Sequence, residues 1–281
     1  MTVIIRLNVD TFKEDIKEGR RFEFGRNWKS FLSTVNNERI KEAERSLKEM
    51  LECASLEGTH FLDVGSGNGL FSLAACRLGA IVHSFDYDPE SVTCTQKLRS
   101  KYFPDNNNWS IEQGSVLDKK FLSSLGVFDI VYSWGVLHHT GNMWEALGNI
   151  VPLVKENGIL FIAIYNDQGK KSKFWLKVKK LYCSGIIGKS FVCIVFIPYL
   201  FLRTLAGIII KRKNVFSEYK KDRGMSIVHD WFDWLGGFPY EVAKVEEIFH
   251  YYKTRGFILK NIKTTNSSGN NQLVFIKKET M

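Results

Sequence analysis

Phe61-Leu62-Asp63-Val64-Gly65-Ser66-Gly67-Asn68-Gly69-Leu70-Phe71 is the stretch that decides the fold. An apolar strand runs into glycines at alternate positions, and an apolar helix begins directly after them. Glycine permits left-handed backbone angles and lets a ligand approach the main chain closely. A strand, glycine loop and helix in this order therefore make the ligand-binding turn at the carboxyl edge of a doubly wound sheet. The spacing is G-x-G-x-G, and Leu70 stands where the dinucleotide fingerprint G-x-G-x-x-G places its third glycine. That departure counts against NAD.

Outward from this loop, short apolar runs alternate with helical stretches. Strands are expected at 60–64, 81–86, 109–113, 128–133 and 159–165, with helices at 70–78, 89–102 and 143–154. Ahead of them Ile40, Ala43, Leu47, Met50 and Leu51 mark an amphipathic helix. The alternation lapses after Tyr165 and resumes near Tyr240 with a helix carrying Val242, Val245, Ile248 and Phe249. Two more strands, 257–263 and 272–277, are joined by a turn-rich linker, which makes them an antiparallel pair. The expected fold is α/β: a doubly wound, Rossmann-like, seven-stranded and mainly parallel sheet with an antiparallel C-terminal strand and a helical insertion or cap. The chain divides into an N-terminal helical segment and possible lid (1–57), the sheet domain (58–165 with 240–281) and the insertion (166–239).

Composition narrows the class. With 44% apolar and 25% charged residues the chain is neither disordered nor a many-pass membrane protein, and its net charge of +9 favours anionic partners. Five cysteines, none in C-x-x-C, read as reduced thiols. The N-terminus lacks a secretory pattern, so a cytoplasmic location is expected.

Asp86 ends the second strand about 20 residues beyond the first glycine, where an acid bonds ribose hydroxyls, and Tyr87 beside it suits an adenine face. Asp63, just before the glycines, brings negative charge toward a cationic ligand rather than a pyrophosphate. Together with Gln113-Gly-Ser-Val-Leu-Asp118 and Phe128-Asp-Ile-Val-Tyr-Ser-Trp-Gly-Val-Leu-His-His139, these residues resemble the class I S-adenosylmethionine-dependent methyltransferases. The resemblance covers about residues 58–165 and 240–278. It implies S-adenosylmethionine as cofactor, held by Asp63, Gly65, Ser66, Gly67, Asn68, Gly69, Asp86 and Tyr87. It also implies that Ser115 and Val116 flank the adenine and that Ser133 and Trp134 border the methionine end. Where many members of the family have an acid on the adenine amino group, this chain has Ser115.

Methyl transfer needs an acceptor lone pair in line with the S–CH3 bond, water kept out and the acceptor proton removed; it needs no metal. His138, His139 and Thr140 end the fourth strand at the acceptor side, and His139 is the expected proton acceptor, since imidazole titrates near neutrality. Bracing of the loop is the competing role. A second cluster runs from Ser226 to Glu241; within it His229 and Asp230 are catalytic candidates. If 226–235 is helical, Asp230, Asp233 and Trp234 share a face that lines an acceptor pocket or the cofactor mouth, the competing role being a helix cap and turn that reattaches the insertion. Similar methyltransferases close the cofactor site with an N-terminal segment, and this resemblance makes Arg26 and Trp28, in an aromatic and basic stretch ahead of the core, lid candidates; simple helix packing is the competing role.

The insertion carries a basic amphipathic helix (Phe174, Trp175, Val178, Leu181 and Tyr182 on one face, Lys173, Lys177 and Lys180 on another) and the apolar run Ser190–Leu202, followed by Arg203. Thirteen residues fall short of the roughly 20 that span a bilayer, and Pro198 and Arg203 oppose a span. Three readings stand: a lid over a lipophilic acceptor, an anionic membrane contact through 170–213, or a buried helical pair or homodimer interface. The expected acceptor is a small, lipophilic or lipid-linked molecule, methylated on oxygen. RNA methylation through the Lys/Arg runs and a non-catalytic cofactor-binding scaffold are the alternatives.

Overall fold

The computed structural model describes residues 11–25, 28, 32, 35–104, 107–211 and 227–279, with side chains throughout except at 207–211 and 227–230. After helix α1 (11–17), the elements are α2 (Asn37–Leu51), β1 (His60–Val64), α3 (Leu70–Arg77), β2 (Ile81–Asp86), α4 (Pro89–Tyr102), β3 (Trp109–Gln113), α5 (Lys119–Leu125), β4 (Phe128–Trp134), α6 (Met143–Asn149), β5 (Val154–Tyr165), α7 (Lys170–Cys183), α8 (Ile186–Lys211), α9 (Ile227–Gly236), α10 (Val245–Lys253), β6 (Phe257–Lys263) and β7 (Asn270–Lys277).

One seven-stranded sheet has the order β3-β2-β1-β4-β5-β7-β6. Pairing is parallel from β3 across to β5, while β7 runs antiparallel to both β5 and β6. Successive strand residues face opposite sides, so each strand feeds two cores. Leu62 and Val64 of β1 pack with Leu147, Ile248 and Tyr252, whereas Phe61 packs with Ile40, Leu47, Leu73 and Leu98. Strand order reverses between β1 and β4, which opens a crevice at their carboxyl ends.

Local chemistry sets the elements around that crevice. Asp88 caps α4 by accepting from Glu90 N, with Pro89 pre-set in the first turn. Asn36 caps α2 through Arg39 N in the same way. Three expectations need correction. The helix expected to reach Val154 stops at Asn149, because Pro152 cannot continue it; Val151–Leu153 is a 3-10 turn and β5 begins at Val154. The short helix α5 and the 3-10 turn Leu137–His139 were not expected.

The insertion forms its own small core. Trp175, Val178 and Tyr182 of α7, Val192 and Leu200 of α8, and Leu235 pack together with Tyr240. An open concavity lined by Leu51, Asp129 and Asn157 lies at the opposite, amino-terminal edge of the sheet from the crevice.

Candidate active site

The glycine loop owes its shape to three left-handed residues: Gly65, Gly67 and Gly69 have φ of 81°, 55° and 79°. Asp86 fixes the loop from below. Its Oδ2 accepts from Gly67 N at 2.9 Å and its Oδ1 accepts from Asp88 N at 2.9 Å. Burial, with Asp88 close by, pushes the Asp86 carboxyl up to about 7. Each carboxylate oxygen keeps a further lone pair for a ligand hydroxyl. Gly114 N donates to Asp86 O, which brings the 114–116 turn alongside.

Several expected residues direct their side-chain hydrogen bonds into the protein. Ser72 Oγ donates to the buried Asp63, and Ser72 and Ser84 join it to Trp109 Nε1. Burial raises the Asp63 carboxyl to about 7. Ser66 Oγ meets Thr95 Oγ1, Asn68 Oδ1 accepts from Leu70 N at the start of α3, and Ser133 Oγ donates to Val64 O. Ser115 Oγ accepts from Leu117 N, and Val116 lies in the core. Trp134 is partly exposed at the end of β4.

An N-terminal strap crosses the crevice mouth. Gly25 N donates to Asp88 Oδ2 at 2.7 Å, and Phe12 meets Tyr87 edge-on at 5.5 Å. Tyr87 Oη donates to Asp15, and Arg21 lies 4.9 Å over the Tyr87 ring. The same arginine donates to His139 O at 2.9 Å and to Thr140 O at 3.4 Å, so it joins the Asp86 side to the histidine side. Of the lid candidates, Arg26 lies outside the described residues, while the Trp28 indole sits beside Gly67. Sequence reasoning missed Arg21.

The histidine pair lies behind this strap. His139 Nδ1 is 2.6 Å from Pro239 O, which assigns the ring proton to Nδ1 and leaves the Nε2 lone pair. His139 does not fulfil the expectation of titration near neutrality: burial lowers its imidazole to about 3, and the positive charges of Lys179 and Arg21 push the same way. His138 is fully buried, stacks on Tyr165 at 4.0 Å between centroids and accepts from Tyr165 N through Nδ1. Burial keeps it neutral as well. The side chains of His229 and Asp230 lie outside the described residues, so their candidacy stays at the level of the sequence.

Lys179 of α7 is the other residue missed. It is completely buried, donates to Trp234 O, and sits 4.5 Å from the Trp234 ring centre and 5.0 Å from that of Tyr240. Burial lowers its ammonium to about 7. The turn that holds it is stitched on every side: Cys183 Sγ donates to Gly236 O, Phe22 N to Phe238 O and Glu241 N to His138 O. Lys179→Met is expected to raise stability by on the order of 2 kcal/mol at neutral pH, since a buried charge is exchanged for an apolar chain of similar volume. The unfolded lysine holds its proton up to about 10.5 and the folded one only to about 7, so wild-type stability gains from this group as pH rises through that window. The advantage of the variant should therefore shrink from pH 7 towards pH 10 in thermal melts. A constant difference would contradict this.

Comparison with known proteins agrees with the geometry. Residues 62–160 match a family model described as a methyltransferase domain. A ubiquinone biosynthesis O-methyltransferase of Coxiella burnetii is 30% identical over 139 residues, covering 50% of this chain and 54% of that protein. The protein of the same name from Pelagibacter ubique is 27% identical over 137 residues, covering 49% and 50%. The chain thus spans about half the length of the curated relatives it matches. Magnesium protoporphyrin IX methyltransferase from Synechocystis, solved with bound S-adenosylhomocysteine, shares the fold at a TM-score of 0.53 and 14% identity, covering 87% of this chain and 89% of that one. By its matched segment, its loop and its sheet order, the chain carries a methyltransferase domain over residues 62–160, set in a sheet with the fold of the S-adenosylmethionine-dependent methyltransferases.

Proposed function

We propose that the protein transfers a methyl group from S-adenosylmethionine to the oxygen of a small lipophilic acceptor. The observation that carries the cofactor half is Asp86, whose carboxylate is pinned between Gly67 N and Asp88 N at the point where strand order reverses. The residues fit the cofactor: left-handed glycines leave the loop backbone open to close approach, and Asp86 keeps lone pairs for the ribose hydroxyls. When bound, the cofactor supplies a methyl group on a positively charged sulfur. The strap from Phe12 to Gly25 shields the site from water, and Arg21 latches it to the histidine side.

The acceptor half rests on the charge around the histidines and on the relatives named for O-methylation in ubiquinone biosynthesis. An imidazole held neutral to about pH 3 is a weak base but a good hydrogen-bond acceptor. His139 Nε2 orients an acceptor hydroxyl rather than storing its proton. Positive charge from Lys179 and Arg21 favours an oxygen that ionises readily, such as a phenolic hydroxyl, over an aliphatic alcohol.

Calorimetric titration with S-adenosylhomocysteine tests the cofactor half: saturable binding is expected, and its absence would refute it. Arg21→Ala should speed cofactor release by roughly 10- to 100-fold, the worth of one charged hydrogen bond at about 1.5–3 kcal/mol. Stopped-flow displacement measures this, and an unchanged rate would remove the latch from the account.

A further inference from the structure

We propose that helix α8, together with the lysines of α7, docks the protein along the surface of an anionic lipid leaflet. This extends the lipophilic-acceptor reading but does not depend on it, because docking is measured without acceptor or turnover.

Helix α8 runs from Ile186 to Lys211, about 39 Å at the usual rise. One face is committed to the protein: Val192 and Leu200 are buried against Trp175, Tyr182 and Leu235. The opposite face is apolar too. Ile187, Phe191, Ile194, Val195, Phe201 and Leu202 recur at helical spacing there, and Ile187, Ile194 and Leu202 are 88%, 74% and 63% exposed. An apolar stripe this long on the outside of a folded chain marks an interaction surface.

Charge identifies the occupant. Between Asp167 and Glu218 the sequence holds eleven lysines and arginines and no acid, more than the whole net charge of +9. Lys170, Lys171, Lys173, Lys177 and Lys180 are exposed on α7. Another protein copy would bring the same positive segment against itself, whereas an anionic leaflet offers hydrocarbon to the stripe and phosphate to the lysines.

Length and composition alone would let Ile186–Ala206 cross a bilayer. The packing of Val192 and Leu200 opposes this, because a crossing helix would have to leave the core it shares with α7 and α9. Arg203 and Pro198 within the helix oppose it as well. The geometry therefore points to a helix lying in the interface, its outer stripe in the acyl boundary.

Co-sedimentation of the full chain with phosphatidylcholine vesicles, with and without phosphatidylglycerol, tests the proposal. Wild type should bind the anionic vesicles and should bind less as salt rises. The combined Phe191→Glu, Ile194→Glu and Leu202→Glu variant should lose at least tenfold in partition to either vesicle. Lys171→Glu with Lys177→Glu should lose binding to the anionic vesicles alone. Unchanged S-adenosylhomocysteine titration in these variants would separate loss of docking from loss of fold or cofactor site. Three results would overturn docking: no vesicle binding by wild type, binding that survives the triple substitution, or a dimer in sedimentation velocity that the triple substitution dissociates while vesicles are ignored. RNA retardation without vesicle binding would equally reassign the segment.

Discussion

Asp86→Ala is expected to weaken S-adenosylmethionine binding by about two orders of magnitude. The substitution removes the acceptors of Gly67 N and Asp88 N together with the lone pairs offered to the ribose. Hydrogen bonds to a charged group are worth about 1.5–3 kcal/mol each, so losing those to the ligand alone accounts for a factor of that size. A pH signature accompanies it. Burial holds the free Asp86 carboxyl at about 7, and hydroxyl donors prefer its ionised form, so affinity should rise as pH climbs through about 7 and level off above. Asp86→Asn should bind weakly with no such dependence. Calorimetry at about pH 6 and about pH 8 checks both statements, and equal affinities for wild type and Asp86→Ala would contradict them.

Gly65→Ala should be far more damaging than the same added methyl group at Gly67, two residues along the loop. At φ 81° an alanine is strained by about 1–2 kcal/mol, and its Cβ would lie 2.3 Å from Val136 Cγ1 and 2.9 Å from Val136 Cβ. A β-branched side chain has few rotamers to retreat into, so the chain at 135–137 must move, and His138 and His139 follow it directly. Gly67 makes the control. Its φ of 55° carries the same backbone strain, but the nearest atom to an added Cβ is Trp28 Nε1 at 3.5 Å, an ordinary contact. Gly65→Ala should therefore destabilise by at least about 2 kcal/mol more than Gly67→Ala in urea melts. Adding Val136→Ala should recover the steric part and leave the backbone part. Equal losses for the two alanine variants would contradict this reading of the loop.

The sheet domain was legible because its signals are local. Alternating burial, three glycines and an acid closing the next strand are all patterns within about 25 residues, and β2, α4, β3 and β6 begin and end where the sequence placed them. Helix α5 escaped because it has seven residues and buries only Leu122. The strap escaped for a different reason. Gly25 reaches Asp88 across 63 positions and Arg21 reaches His139 across 118, and no periodicity records such contacts. Lys179 carried a signal that went unread: four residues after Trp175 and three before Tyr182, it lies on the apolar stripe of α7 rather than among the solvated lysines. A lysine on the buried face of a helix is the kind of local contradiction that marks a site, and here it leads to Trp234, Tyr240 and the histidine pair.

The central claim is methyl transfer to a lipophilic oxygen, and its most direct test is incubation of the full chain with methyl-labelled S-adenosylmethionine and a cell extract divided into lipid, RNA and polar fractions. Label should enter the lipid fraction in a base-stable form, as an ether does and an ester does not, and should fall to background with Asp86→Ala. Label confined to RNA, or no transfer above the Asp86→Ala background in any fraction, would contradict the account.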